Sequence, residues 1–203
     1  VAAGTAWGRV GDLFEEDGQI DVPGMWQMAG FDRHQYTNVR YPFPFDPPYV
    51  PQENPCGLYE HTFEYEVDQN APEVFLNFEG VDSCFYVWLN GAYVGYSQVS
   101  HSTSEFDVTS YVKSGENTMR VLVLKWCDGS YLEDQDKFRM SGIFRDVYLL
   151  KRPQRHIWDY RITTHVEGAA AAVDVHCLLA GGDLPIYACL LYTSPSPRDM
   201  RRS

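Results

Sequence analysis

Positive charge is scarce in this sequence. Sixteen Lys and Arg stand against 28 Asp and Glu in 203 residues, a formal net charge of −12. Three of the arginines (Arg198, Arg201 and Arg202) crowd into the last six residues. No basic stripe is left to neutralise phosphates, so nucleic acid is not an expected partner. An anionic membrane surface would repel the chain as well. Apolar runs fall far short of the ~20 residues that a spanning helix needs. No basic-then-apolar leader opens the chain, although a start at Val1 implies that residues precede it.

Familiar catalytic signatures are also missing. There is no Gly-rich phosphate loop, no G-x-S-x-G and no H-E-x-x-H, the patterns by which backbone cradles, nucleophile elbows and helical zinc sites announce themselves. The five cysteines (Cys56, Cys84, Cys127, Cys177 and Cys189) are odd in number and lack C-x-x-C spacing. They read as free thiols in a reducing, cytoplasmic compartment. None of the six histidines is spaced with them to hold zinc.

Aromatic residues, by contrast, are abundant. Fourteen Tyr, 11 Phe and 5 Trp make 15% of the chain, which points to a β-rich protein with a large aromatic core, sugar-facing surfaces being a second use. A chain of this length buries enough surface to fold without disulfide or metal staples.

Along the chain, residues 1–20 are weakly patterned, with an acidic patch at Glu15, Glu16 and Asp17. Residues 22–55 read as a long loop with prolines at 23, 42, 44, 47, 48, 51 and 55, yet Tyr36, Tyr41, Phe43, Phe45 and Tyr49 argue that it packs. Tyr59, His61, Phe63, Tyr65 and Val67 then alternate with Glu60, Thr62, Glu64 and Glu66, the period of a half-buried strand; His61 reads as a core or edge histidine. A strand follows at 74–78. Asn90-Gly91 between two apolar runs predicts a type I′ hairpin. Phe106 and Val108 begin another extended piece, and Gly115-Glu116-Asn117 turns into residues 119–126, where Val121-Leu122-Val123-Leu124 is apolar on both faces, so this strand is expected to be central and covered on both sides. Ile143, Val147, Leu149 and Leu150 mark the last strand of the unit. Strands at this spacing, without a long helix, predict an all-β jelly-roll sandwich. Residues 151–154 read as a linker. Strands at 159–164 and 172–179 open a second β-unit too short to close an immunoglobulin-like sandwich of ~100 residues. From Ile186 the pattern collapses into a basic, Pro/Ser-rich tail.

Residues 126–147 carry the chemistry. Five acids (Asp128, Glu133, Asp134, Asp136 and Asp146) lie there between strands. Carboxylates accept hydrogen bonds from sugar hydroxyls and bind hard cations, and Trp126, Tyr131 and Phe138 offer apolar faces for a pyranose ring. On residue chemistry alone, the loop reads as a solvated acidic turn, and Asn38 is equally readable as a turn residue. Asp128-Gly129 reads as a turn, and Arg145 as pairing with an acid of the loop.

This loop resembles the corresponding loop of glycoside hydrolase family 2 β-galactosidases. Further matches run in the same order: Val22-Pro23 with Trp26-Gln27-Met28; Tyr36-Thr37-Asn38-Val39; Pro47-Pro48-Tyr49-Val50-Pro51 with Glu53-Asn54-Pro55; Leu89-Asn90-Gly91 with Val94-Gly95-Tyr96; Ser104-Glu105-Phe106-Asp107; Gly115-Glu116-Asn117; and Ser141-Gly142-Ile143-Phe144-Arg145-Asp146-Val147. Together they cover about residues 20–165. The Tyr-Thr-Asn and Glu-Asp-Gln-Asp elements point to β-galactosidases rather than β-glucuronidases or β-mannosidases.

The resemblance implies that residues 1–152 form a sugar-binding, galactose-binding-like jelly roll. Residues 153–185 would begin an immunoglobulin-like domain, and 186–203, which match nothing in the family, would be a non-native or disordered tail. In the family a TIM barrel with two catalytic glutamates follows. Retaining hydrolysis needs two carboxylates about 5 Å apart. Neither barrel motif is present, so no catalytic residue is expected in this chain. Glu133 with Asp134 or Asp136 could imitate the pair, but one short loop offers no apolar pocket to raise one pKa. By resemblance, Asn38 lies at the active-site edge, and Asp136 meets a galactosyl hydroxyl and a sodium ion. Sodium and magnesium are the expected cofactors of the full-length enzyme, with only part of the sodium site here. The expected partners are a β-galactoside such as lactose, the rest of the same polypeptide and further copies of it. The alternatives are a stand-alone carbohydrate-binding module, or a β-glucuronidase or β-mannosidase of the same family. The chain alone is expected to be inactive.

Overall fold

The computed structural model describes residues 6–10, 18–38, 40–133 and 136–189. The chain divides into two compact units between Gln154 and Arg155. The acidic patch at Glu15–Asp17 lies outside the described residues.

In the first unit, β1 (Ala6–Val10) and β2 (Gln19–Asp21) precede a single helical turn, α1 (Trp26–Ala29), and β3 (Gln35–Thr37). Next come β4 (Cys56–Tyr65), β5 (Glu73–Phe78), β6 (Val81–Asp82), β7 (Cys84–Leu89), β8 (Ala92–Gln98), β9 (Ser104–Asp107) and β10 (Gly115–Leu124). A 3₁₀ turn (Asp128–Tyr131) leads to β11 (Lys137–Arg139), β12 (Gly142–Ile143) and β13 (Val147–Arg152). A six-stranded sheet runs β2-β1-β4-β10-β7-β8 and a three-stranded sheet β13-β5-β9. All the pairings within these sheets are antiparallel.

The two sheets share one core. Tyr59, Val87, Leu89, Val121 and Val123 from the large sheet pack in one buried cluster with Val74, Leu76, Phe78 and Val147 from the small one. Phe78 lies 4.7 Å from Phe85, ring centre to ring centre, and Phe106 stands edge-on to both. Each fully buried side chain of this size contributes about 1.5–3 kcal/mol. The all-β jelly-roll sandwich expected from the strand spacing is therefore the observed architecture.

The Asn90-Gly91 hairpin is present, with φ of 53° and 82° at the two turn residues. Its turn is tied down by a buried amide. Asn90 Nδ2 donates to Asn117 Oδ1 at 2.8 Å, and Asn117 Nδ2 donates to the carbonyls of Lys113 and Gly115. Pairing of this kind is what allows an asparagine to be fully buried.

Several boundaries differ from the sequence reading. The weakly patterned opening contains β1 and β2, whose three to five residues are too few to display a period. The proline-rich loop contains α1 and β3. β10 is central as expected, but only one of its faces is sealed. Val121 and Val123 are fully buried, whereas Leu122 and Leu124 are half-covered and Arg120 pairs with Glu60 at the surface at 2.7 Å. The last strand is two strands, β12 and β13, because Phe144–Asp146 turns back along Gly80: the amides of Phe144 and Arg145 both donate to the Gly80 carbonyl. Lys151 and Arg152 belong to β13 rather than to a linker. Lys151 donates to the Glu66 carbonyl, and Arg152 grips Glu105 with two hydrogen bonds of 2.9 and 2.8 Å.

The second unit contains β14 (His156–Glu167) and β15 (Ala170–Ala180), an antiparallel hairpin. One face carries Tyr160, Ile162 and Val166 opposite Cys177, Val175 and Ala171. Of the tail, residues 190–203 lie outside the described residues. Among the described residues no helix is long and apolar enough to cross a membrane.

Candidate functional site

The proline-rich segment and the acidic loop are built as one object. Asn54 Nδ2 donates to the Trp126 carbonyl at 2.8 Å, and Trp126 N donates back to Asn54 Oδ1 at 2.9 Å. Trp126 and Tyr131 are each 8% exposed. Phe43 packs against both, at 5.1 and 5.3 Å between ring centres. The Tyr131 hydroxyl donates to the Tyr49 carbonyl at 2.6 Å and accepts from Asp46 N at 3.2 Å. These two rings, expected to face a sugar, are instead the anchors of residues 41–49. Proline supplies little backbone donor capacity, so the segment relies on such side-chain ties.

Glu133 is equally occupied. Its carboxylate accepts from Ser100 N at 2.9 Å and from Ser100 Oγ at 2.8 Å. It braces the loop against the turn after β8. Asp128 also serves the backbone, accepting from Gly129 N at 2.9 Å within the 3₁₀ turn, as expected. Arg145 is set over the Phe144 ring at 5.3 Å.

A second set of ties brings β3 to the far end of the loop. Trp26 N donates to the Ser141 carbonyl, Gly24 N to the Ile143 carbonyl, and Ser141 N to Gln27 Oε1. Trp26 Nε1 reaches the Tyr59 hydroxyl at 2.5 Å inside the core. Gly142 (φ +126°) is required here: a Cβ at this position would sit 2.9 Å from the Gly24 carbonyl oxygen and 3.0 Å from the Tyr59 hydroxyl. Gln27 Nε2 and Lys125 Nζ both donate to Asp32 Oδ2, at 2.9 and 2.5 Å. Burial pushes the Asp32 carboxyl up, but Lys125, the Arg33 amide and Gln27 outweigh it and hold it below its ordinary value.

With residues 24–32 fixed to 139–143, β3 pairs with β11. Lys137 stands opposite Thr37, Phe138 opposite Tyr36 and Arg139 opposite Gln35. Buried Arg139 donates from Nε to Thr37 Oγ1 at 3.2 Å. The pairing places Asn38, just past β3, beside Asp136, just before β11. Tyr36 joins them: its hydroxyl donates to Asp136 Oδ1, and the Asn38 side chain reaches the same phenol. The hydrogen bond that it donates to the Asp136 carboxylate raises the Tyr36 phenol above its ordinary value, because ionising would break that bond and set two negative charges together.

Both sequence-derived site residues are therefore found together, 98 residues apart in the chain. Three aromatic groups border them. Phe138, 54% exposed, lies 5.6 Å from Tyr36 and 5.3 Å from His34. Of the three rings expected to face a sugar, Phe138 is the one left open. Tyr36 and His34 were not singled out in the sequence as site residues. Their signal was too weak, since a three-residue strand has no readable period. Asp134, the other acid of the loop's centre, lies outside the described residues.

Comparison with known proteins bears on what this arrangement is for. Residues 2–153 match the sugar binding domain of glycosyl hydrolases family 2. The chain is 60% identical over 144 residues to the β-galactosidase of Actinobacillus pleuropneumoniae, covering 71% of this chain and 14% of that protein. It is 52% identical over 163 residues to the β-galactosidase of Staphylococcus xylosus, covering 79% of this chain and 16% of that protein. It thus spans about one-seventh of the length of these relatives. In fold it is similar to a β-glycosidase from Bacteroides vulgatus, with a TM-score of 0.64 and 22% identity over 89% of this chain and 24% of that one. The domain match takes in the sandwich and the Tyr36–Asn38–Asp136 cluster alike, and on it the chain belongs to glycosyl hydrolase family 2.

Proposed function

We propose that this chain is the N-terminal sugar-binding part of a β-galactosidase that hydrolyses terminal β-galactosides such as lactose. Its hydrolytic carboxylates would come from a barrel elsewhere in the same, longer polypeptide. The observation that carries this reading is the junction of Asn38 and Asp136 through Tyr36, in a chain 60% identical to a named β-galactosidase. An exposed carboxylate and an amide are hydrogen-bonding partners for sugar hydroxyls, and the open Phe138 ring suits a pyranose face. In this reading they complete the rim of a pocket whose floor is the barrel. Glu133 and Asp136 are held by different partners, Ser100 and Tyr36, which suits positioning rather than an acid–nucleophile pair.

A sodium ion takes hard oxygen ligands, and the Asp136 carboxylate is a donor of that kind. Among the described residues no group of three or more His, Cys, Asp or Glu could hold a metal. Asp136 would thus be one ligand of a site completed by other parts of the polypeptide. A bound sodium would fix the carboxylate and polarise a galactosyl hydroxyl. No residue of this chain is assigned to magnesium.

One feature favours a second reading, a carbohydrate-binding module. Tyr86, Trp88, Tyr93 and Tyr96 form a row of touching rings on β7 and β8, at the edge of the large sheet. Expressing the complete reading frame and assaying β-galactosides, β-glucuronides and β-mannosides separates these readings. Preferential galactoside turnover is expected. Preference for a glucuronide or mannoside, or binding without turnover, would overturn the proposal.

A further inference from the structure

The outer face of the large sheet carries a patch of rings that the Tyr36–Asn38–Asp136 cluster does not use. On β7, Phe85, Val87 and Leu89 are buried in the core, so Tyr86 and Trp88 between them point the other way. Tyr96 of β8 stands opposite Tyr86, and Tyr93 opposite Trp88. Residues three apart on a regular strand face opposite sides. A bulge puts both tyrosines on the outer face: the register shifts between Val87 and Trp88, and Val94 is the extra residue in β8. Val94 and Gly95 both turn inward. Val94 packs against the core, and a Cβ on Gly95 would lie 2.7 Å from the Phe106 ring.

The four rings form two cross-strand pairs. Tyr96 lies 4.8 Å from Tyr86 and Tyr93 lies 5.6 Å from Trp88, ring centre to ring centre, and 6.2 Å separates Tyr86 from Trp88 along β7. Tyr93 is 51% exposed and Tyr96 40%. Polar groups border the rings. The Tyr96 hydroxyl donates to Gln98 Oε1 at 2.8 Å. Arg120 of β10 stands opposite Trp88 and is paired with Glu60, so these two flanking charges cancel. Leu122, opposite Tyr86, is half-covered and extends the apolar surface toward the middle of the sheet.

Charge and edge geometry select the occupant. A strand from a protein partner would add to β8, the edge of the sheet, but a bulged edge is a poor template for pairing. A polyanion is repelled by a chain of net charge −12, and a cation gains little from a border whose acid is already paired. A neutral sugar chain complements the patch. Its C–H faces stack on Tyr and Trp rings, and its hydroxyls meet the phenols and the Gln98 amide. We infer that Tyr86, Trp88, Tyr93 and Tyr96 form a carbohydrate site, separate from Asn38 and Asp136, for a neutral oligosaccharide of two or more sugars in extended conformation. The step along β7 gives each ring pair one sugar. The site does not depend on the galactosidase reading, since it anchors a glycan for a barrel-bearing enzyme and for a binding module alike.

The test titrates the purified chain with β-1,4-galactotetraose, galactose and tetragalacturonate by calorimetry. The neutral tetrasaccharide is expected to bind at least about tenfold more tightly than either of the others, because it alone spans both ring pairs without bringing charge. Trp88→Ala and Tyr93→Ala should each weaken its binding roughly three- to tenfold, and Asp136→Asn should leave it unchanged. Tyr93 is half-exposed on an edge strand, so Tyr93→Ala keeps the fold and decides the matter even where Trp88→Ala does not. The inference is overturned if the tetrasaccharide does not bind, or if galactose or tetragalacturonate binds as tightly. It is overturned equally if Asp136→Asn weakens binding and Tyr93→Ala does not, which would put the sugar at the other site. Sedimentation of the unliganded chain covers the remaining occupant: a dimer that Tyr93→Ala splits, with no sugar bound, would make the patch a contact between copies and overturn the inference. The galactosidase reading survives any of these failures, because turnover by the complete enzyme decides it.

Discussion

The Tyr36 hydroxyl donates to Asp136 Oδ1 across the β3–β11 pair, so the orientation of the carboxylate is set by a strand 100 residues earlier. In the complete enzyme, Asp136→Asn keeps the shape and removes the charge. A hydrogen bond to a charged group is worth about 1.5–3 kcal/mol, so kcat/KM for a β-galactoside should fall roughly ten- to a hundredfold. The sodium concentration giving half-maximal rate should rise in the same variant. Tyr36→Phe leaves the charge and loses only the orientation, so its fall should be smaller, up to about tenfold. Asp134→Asn is expected to do much less than Asp136→Asn. Equal small losses for the two aspartates would show that the wrong carboxylate had been assigned.

The Asp32–Lys125 pair should be visible in stability. Asp32 is held below its unfolded value of 3.8, so its contribution is present above that pH and is lost as pH falls through the lower folded value. Lys125→Met leaves the carboxylate half-buried with Gln27 and a backbone amide for company. Urea unfolding at pH 7 should show a loss of about 1–3 kcal/mol. At pH 3 the difference between wild type and variant should shrink, because protonation relieves the unpaired charge. A loss of the same size at both pH values would mean that Lys125 acts through packing alone.

The sandwich was legible because its core strands are long enough to show a period: Tyr59 to Tyr65 alternates cleanly, and Asn90-Gly91 names its own turn. The short pieces were not. β3 and β11 have three residues each, and what makes them strands is a chain of ties from Trp26, Gln27 and Gly24 to residues 141–143, none of which leaves a local pattern. Asn38 and Asp136 were found through family resemblance rather than spacing. Tyr36, which joins them, sat inside a recognised motif without a role. In the sequence Trp126 and Tyr131 offer apolar faces for a sugar, and nothing local shows what covers them. The proline-rich segment folds back over them, and only tertiary structure reveals that.

Purified chain should not turn over a chromogenic β-galactoside. Glu133 is committed to Ser100 and Asp136 to Tyr36, and retaining hydrolysis needs two carboxylates about 5 Å apart with split proton affinities. Turnover by contaminant-free chain that vanishes in Glu133→Gln would place a catalytic pair in this loop after all.

The last prediction concerns Tyr131, the hinge between the acidic loop and residues 41–49. Its hydroxyl donates to the Tyr49 carbonyl at 2.6 Å and accepts from Asp46 N at 3.2 Å, while its ring packs against Phe43 and Phe45. Tyr131→Phe keeps the ring and strands those two backbone groups. An unsatisfied buried group costs about 1–3 kcal/mol, but this site is near the surface and water can partly replace the hydroxyl, so a loss near 1 kcal/mol is expected. Tyr131→Ala also removes the ring and should cost about 3–5 kcal/mol. Proteolysis gives a local readout: both variants should be cut faster between residues 41 and 51, with the large sheet unaffected. If Tyr131→Ala lowers global stability without faster cleavage there, the tyrosine serves the sandwich core rather than the proline-rich segment.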